Sequence, residues 1–197
     1  MSQYIKDEIR LKIIDAAREE FLEKGFGKSS VRKITAVAKT SKSNLYNYFR
    51  DKDNLFCSVL GPTLKKIREG LEAVKQFNVP KSLDAYTKES QMKVVGVVYG
   101  FVAENIKNIR LLLFKSQGSS LEGFKQELLE KFTDNMCEWV KSINQEKDIS
   151  RLFVRCVCNF YIGMVEQAIL YGKPEEMQKF SHEFTDFIFY GWKGLLQ

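Results

Sequence analysis

Residues Ser29–Lys52 read SSVRKITAVAKTSKSNLYNYFRDK. In this stretch Val31, Ile34, Val37 and Ala38 recur at helical spacing, Lys39, Thr40 and Ser41 interrupt them, and Leu45, Tyr48 and Phe49 resume the period. The pattern predicts a helix, a tight turn and a second helix, each with one buried face. On the second helix Lys42, Ser43, Asn44, Tyr46, Asn47 and Arg50 fall away from the Leu45 and Phe49 stripe, and each of these side chains is able to contact a phosphate or a base edge.

Charge gives the same stretch a direction. From Lys24 to Lys52 there are eight basic residues against one acid, Asp51, a local excess of seven. The whole chain carries +6, so everything else sums to about minus one. A basic balance confined to one segment is the electrostatic footprint of a nucleic-acid binder.

The 197 residues, 44% of them hydrophobic, are enough to bury a substantial core. Only 3 prolines and 12 glycines separate long amphipathic runs, so an all-α fold is expected, without strands or internal repeats. The polar start, Met1–Arg10, predicts no secretory signal, and the longest apolar run, Val94–Ala103, is about half what a membrane-spanning helix needs. A cytoplasmic protein without a membrane partner is expected. Cys57, Cys137, Cys156 and Cys158 lack a CxxC spacing, and Cys156 and Cys158 point to different sides of a helix, so buried free thiols are expected and no metal site.

Taken in order, Asp7–Lys24 forms the first helix on a stripe of Ile9, Ile13, Ala16, Ala17 and Phe21, ending at Gly25. Ser29 or Ser30 is placed to cap the second helix, and Ser41 the third. A fourth begins near Asp51, with a kink or break expected at Gly61-Pro62, and Phe77–Pro80 reads as a linker. Further helices follow over Ser82–Asn105, Ile106–Lys115, Leu121–Asn144 and from Ser150 to Tyr171. A last one, opened by Pro174, runs to Leu196, for about nine in all. The last is apolar around much of its circumference, at Phe180, Phe184, Phe187, Ile188 and Trp192, which suggests a second partner there, most simply another copy of the chain.

Gly25-Phe26, Ser29–Ile34, Ser41–Phe49 and the Asp51-Lys52-Asp53-Asn54-Leu55 run together resemble the signature of the tetracycline-repressor (TetR) family. The resemblance covers roughly Ile9–Phe56. It implies a homodimeric, ligand-responsive transcription factor, usually a repressor, with an N-terminal three-helix head on DNA and a variable helical body that holds an inducer and the dimer interface. On this plan residues 1–50 are the helix-turn-helix head and 51–197 the body, with helix 51–75 as connector. Two positions depart from the family pattern: Thr35 stands where alanine is usual, and Lys39 stands where the turn usually has glycine.

Carried onto this chain, the family roles place Lys42, Tyr46, Tyr48 and Lys52 on the DNA backbone, with Ser29, Ser30 and Ser41 as donors or caps near it and Lys39 in reach of a phosphate. Arg32, Ser43, Asn44 and Asn47 are then the residues for base edges. In the body, Phe132, Met136 and Trp139 share a helical face, and Tyr99, Phe101, Phe160 and Tyr161 are further residues that could line a cavity. Such a stripe is more often core than ligand pocket, because cores need that bulk. Glu166 interrupts an apolar helix and needs a partner, either a ligand or another subunit.

The function expected is that of a DNA-binding regulator, most simply a repressor. A small molecule in the body would release it from a near-palindromic operator on double-stranded DNA. The alternative is an adaptor or activator controlled by a protein partner. No Gly-rich phosphate loop, nucleophile with a histidine partner or metal-ligand spacing points to an enzyme or a cofactor.

Overall fold

The computed structural model describes residues 3–76 and 82–197, and the linker expected at Phe77–Pro80 lies outside them. Among the described residues there are nine α-helices, one 3₁₀ turn and no strand. The helices are α1 (Gln3–Lys28), α2 (Val31–Val37), α3 (Lys42–Tyr48), α4 (Lys52–Gln76), α5 (Lys88–Glu104), α6 (Ile106–Phe114), α7 (Phe124–Ile143), α8 (Arg151–Tyr171) and α9 (Met177–Leu196), with the 3₁₀ turn at Pro174–Glu176. The all-α reading holds, and so does the order of helices.

The chain divides into two compact units, one of Met1–Ile67 with Asn105–Lys125 and one of Arg68–Glu104 with Gln126–Gln197. This grouping differs from the boundary at Arg50 that the sequence suggested. The reason lies in the core of the first unit, where Leu111 and Leu112 of α6 are buried together with Ile13, Ala17, Phe21, Ile34, Leu45, Phe49, Leu55 and Phe56. The head therefore closes over a segment separated from it in sequence by residues 68–104.

Gly25 shapes the junction. It breaks the helical run of α1 at φ 74° and ψ 163°, a conformation open to glycine and costly for any residue with a Cβ. The break turns Phe26 inward, where its ring lies 6.1 Å from Phe21 and 5.1 Å from Phe56, and Phe21 meets Phe56 edge-on at 4.9 Å. It also frees the Phe26 amide, which donates to the Lys115 carbonyl at 2.9 Å. Ser120 completes the attachment, its amide donating to Asp53 Oδ1 at 2.8 Å.

α4 passes through Gly61-Pro62 as one helix, so of the expected kink or break the break does not occur. Proline removes a single N–H there, and the hydrophobic residues on either side hold the helix in register: Val59, Leu60 and Leu64 are all buried in the first core. Next to it Thr63, 1% exposed, accepts from Asn108 Nδ2 at 2.8 Å and donates to Asn105 Oδ1 at 3.2 Å, so the one buried polar side chain at this crossing is satisfied from α6 and its cap.

In the second unit α5 packs against α9. Thr87 and Ser90 open α5 with reciprocal capping: the Ser90 amide donates to Thr87 Oγ1 at 3.1 Å and the Thr87 amide to Ser90 Oγ at 3.2 Å. The helix therefore begins at Lys88, later than Ser82. Ser150 caps α8 as expected, accepting from the Phe153 amide at 3.2 Å. α8 is long and apolar enough by composition to cross a membrane. Its buried residues Val154, Cys158, Ile162 and Ile169 nonetheless face protein, and Arg151 and Arg155 pair with Glu130 of α7 at 3.0 and 2.9 Å.

Candidate nucleic-acid interface

α2 and α3 are only seven residues each, too short to persist alone, so their placement depends on caps and on one buried face apiece. Ser30 is the N-cap of α2, its hydroxyl accepting from the Lys33 amide at 3.4 Å. Ser41 does the same for α3, accepting from the Asn44 amide at 3.0 Å. A cap of this kind contributes on the order of 1 kcal/mol. Leu45 and Phe49 anchor α3 in the core at 0% and 1% exposure, and Ile34 and Ala38 anchor α2.

Glu20 of α1 reaches across to the start of α2. Its buried carboxylate accepts from the Ser30 amide at 3.1 Å and pairs with Lys33 at 3.1 Å. Lys33 also pairs with Glu23 at 2.9 Å, and Glu23 in turn with Lys24 at 2.7 Å. Hydrogen bonds from Lys24 and Lys33 pull the Glu23 carboxyl down to about 2, and the same contact with Glu23 raises Lys33. Arg50 is bound to Asp51 at 2.8 Å, and Asp51 caps α4 by accepting from the Asn54 amide at 2.7 Å. That backbone bond, with the Arg50 contact behind it, lowers the Asp51 carboxyl.

The seven-charge excess is thus partly spent inside the head. Lys24, Lys33 and Arg50 have carboxylate partners, which leaves Lys28, Arg32, Lys39 and Lys42 exposed and without one among the described residues. Lys42 lies 5.9 Å from the Tyr46 ring, so its charge stays on the outer face of α3. Ser43, Tyr46 and Asn47 are exposed beside it, as the periodicity predicted.

Lys39 has φ 52°, the one non-glycine residue with positive φ among the described residues. The left-handed turn is kept without its glycine, at about 1 kcal/mol. Thr35, the other departure, is buried and donates its hydroxyl to the Arg32 carbonyl at 3.0 Å, so the extra polar atom is satisfied within the helix.

Four of the residues expected on DNA have partners or packing within the head. Ser29 is buried, and its hydroxyl donates to the Phe26 carbonyl at 2.7 Å, because the Gly25 break turns that carbonyl toward it. Lys52 points its ammonium at the carbonyls of Phe26, Gly27 and Ser29, at 2.7, 3.5 and 3.4 Å. Asn44 is half-buried, and its amide donates to Thr40 Oγ1 at 2.8 Å. Tyr48, expected on the DNA backbone, is half-buried against the head core beside Phe49.

In the second unit Tyr99, Phe132, Met136 and Tyr161 pack against the core that contains Trp139. Trp139 is 8% exposed and edge-on to Trp192 at 5.4 Å, which makes it a core residue. The Tyr161 hydroxyl accepts from Trp192 Nε1 at 2.6 Å. The Tyr99 hydroxyl is buried with no hydrogen-bond partner, and burial pushes it up to about 12. Phe101 and Glu166 are half-buried outside that core.

The residues expected at a dimer interface separate by their spacing. Phe184, Ile188 and Trp192 recur every four residues and face inward at 9%, 9% and 5% exposure, so they are core and not interface. Phe180 is half-buried, stacked on Phe184. Phe187, by contrast, is 65% exposed and lies beside Phe160 of α8 at 5.5 Å, with Tyr190, Leu152, Leu170 and Tyr171 also exposed. The last helix carries two apolar stripes, and a sequence does not say which of them the monomer keeps. Of the four free thiols, Cys158 alone is buried, and Cys156 is exposed on α8.

Residues 13–59 match the family model described as bacterial regulatory proteins, tetR family. The match is confined to the head. Within the matched residues lie α2, α3 and the start of α4, with the caps Ser30, Ser41 and Asp51. The chain is 34% identical over 58 residues to the HTH-type transcriptional regulator QacR of Staphylococcus aureus, a match covering 29% of this chain and 31% of that one. It therefore spans about a third of the length of that relative. Over whole chains the fold is similar to a TetR-like transcriptional regulator from Rhodococcus sp. RHA1, with TM-score 0.68, 18% identity and coverage of 99% and 98%. It is also similar to the transcriptional regulator FadR from Bacillus subtilis, solved in complex with stearoyl-CoA, with TM-score 0.58, 18% identity and coverage of 91% and 95%.

Proposed function

We propose that the chain is a DNA-binding transcription regulator, a repressor, whose head reads a duplex through α3. The observation that carries this is the outer face of α3. Lys42, Ser43, Tyr46 and Asn47 stand exposed on a helix anchored by Leu45 and Phe49, with Lys28, Arg32 and Lys39 unpaired nearby in sequence. Arg32 and Asn47 supply groups suited to guanine and adenine edges, and Lys42 with the Ser30 and Ser41 region supplies the phosphate contacts. The match to the tetR-family segment and to QacR supports the same role.

The protein works as a homodimer in the cytoplasm, on a near-palindromic site whose two halves each receive one head. The exposed aromatic residues Phe187, Tyr190 and Phe160 are the surface proposed for pairing, which replaces the inward-facing Phe184, Ile188 and Trp192. The effector is a small molecule whose apolar part is held by the body around Tyr99, Phe132, Met136 and Tyr161, with Phe101 and Glu166 at its margin. The similarity to FadR with stearoyl-CoA makes a long-chain acyl thioester the first probe to use.

Affinity for promoter fragments measured across salt concentrations tests the DNA claim. A steep fall of affinity with salt is expected, and a flat response or no binding would sink the proposal. Thermal unfolding with and without stearoyl-CoA tests the effector claim, since a ligand that binds the folded state raises the midpoint by mass action.

A further inference from the structure

We infer that Lys52 is a positioning residue, which holds the link between α1 and α2 and so aims the reading helices, and that it does not bind a DNA phosphate. This rests on the DNA-binding role proposed above. An ammonium has three N–H donors, and Lys52 faces three carbonyl oxygens, those of Phe26, Gly27 and Ser29, at 2.7, 3.5 and 3.4 Å. Its charge also lies 4.4 Å from the centre of the Phe26 ring. To reach a phosphate it would have to release all of these. The three carbonyls belong to the link that follows the Gly25 break and precedes the α2 cap, and of them the Phe26 carbonyl also accepts from the Ser29 hydroxyl at 2.7 Å.

The clamp works from a fixed base. Lys52 is the first residue of α4, and Leu55 and Phe56 one turn later are fully buried. On the other side of the link Glu20 holds the Ser30 amide. A cation from α4 on the carbonyls and an anion from α1 on the first free amide together fix where α2 begins. Lys42 has no such carbonyl partners, and it remains the lysine for the phosphate.

The test compares Lys52→Met, Lys52→Arg and Lys42→Met with the unaltered chain. Two readouts are taken: amide exchange at Ser30 and Lys33 in the free protein, and the slope of DNA affinity against salt. Lys52→Met is expected to speed exchange at both amides about tenfold and to weaken DNA binding about tenfold with the salt slope unchanged. Lys42→Met is expected to leave exchange alone and to reduce the slope by about one phosphate's worth. Lys52→Arg keeps the charge but not a point donor for three carbonyls, so it is expected to restore binding only in part. A reduced slope for Lys52→Met with unchanged exchange, or full affinity for Lys52→Arg, would overturn the inference. Failure of the unaltered chain to bind any DNA would sink the functional proposal and the aiming role with it, and unchanged exchange in Lys52→Met would sink the clamp by itself.

Discussion

Asn44 donates its side-chain amide to Thr40 Oγ1 at 2.8 Å, tying the first turn of α3 to the left-handed turn in which Lys39 sits. Replacing Lys39 by glycine removes the strain without touching the bond, so Lys39→Gly is expected to stabilise the chain by about 1 kcal/mol, read as a higher urea midpoint. Loss of an exposed cation should weaken DNA binding at low salt at the same time. Unchanged stability would show that the turn tolerates a lysine without cost.

Glu20 is the buried acid that joins α1 to α2. Truncation by Glu20→Ala leaves the Ser30 amide and one partner of Lys33 unmet and is expected to cost about 1–3 kcal/mol. Chemical unfolding measures it, and a loss below a few tenths would mean that Lys33 and Glu23 carry the junction alone.

The exposed and buried stripes of α9 give a paired experiment. Phe187→Glu is expected to leave the unfolding midpoint of the isolated chain nearly unchanged while shifting the assembly from dimer to monomer in sedimentation. Trp192→Ala removes a core ring bonded to Tyr161 and should cost about 3–5 kcal/mol. A Phe187→Glu chain that still sediments as a dimer would move the interface elsewhere.

Alkaline pH probes the second unit. Tyr99 is raised from 10 to about 12 by burial, and Tyr86 and Tyr161 are raised further by the same cause. The folded state thus holds these protons when the unfolded chain has begun to lose them, so stability is intact below pH 10 and falls as pH rises through 12. Tyrosinate absorbance followed alongside helix content is the measurement. Ionisation of these tyrosines near 10 with helices intact would mean that their hydroxyls are wet.

The head was legible because its signals are local. Ser30 and Ser41 sit three residues before amides they cap, Gly25 precedes a turn, and Leu45 and Phe49 mark a face, all within a span the eye can scan. What was not legible is what depends on distant partners. The periodicity of Leu111 and Leu112 announces a buried helix face and is silent on which core it enters. Lys52 looks like any surface lysine until the Gly25 break brings three carbonyls to it. Phe184 and Phe187, three residues apart, differ only in which of two apolar stripes the monomer uses, and nothing in either residue records that choice.

The packing of Leu111, Leu112 and the Lys115 carbonyl into the first unit bears on how this chain could be taken apart. A head grafted onto another protein by cutting near residue 50 would lose Leu55, Phe56, Leu111 and Leu112 and leave Phe21 and Phe26 facing water. A transplant that keeps its reading specificity must carry two pieces of sequence, the amino-terminal stretch and the excursion around α6. Exchange of heads among such proteins is then constrained by whichever residues their α6 segments place against Phe26.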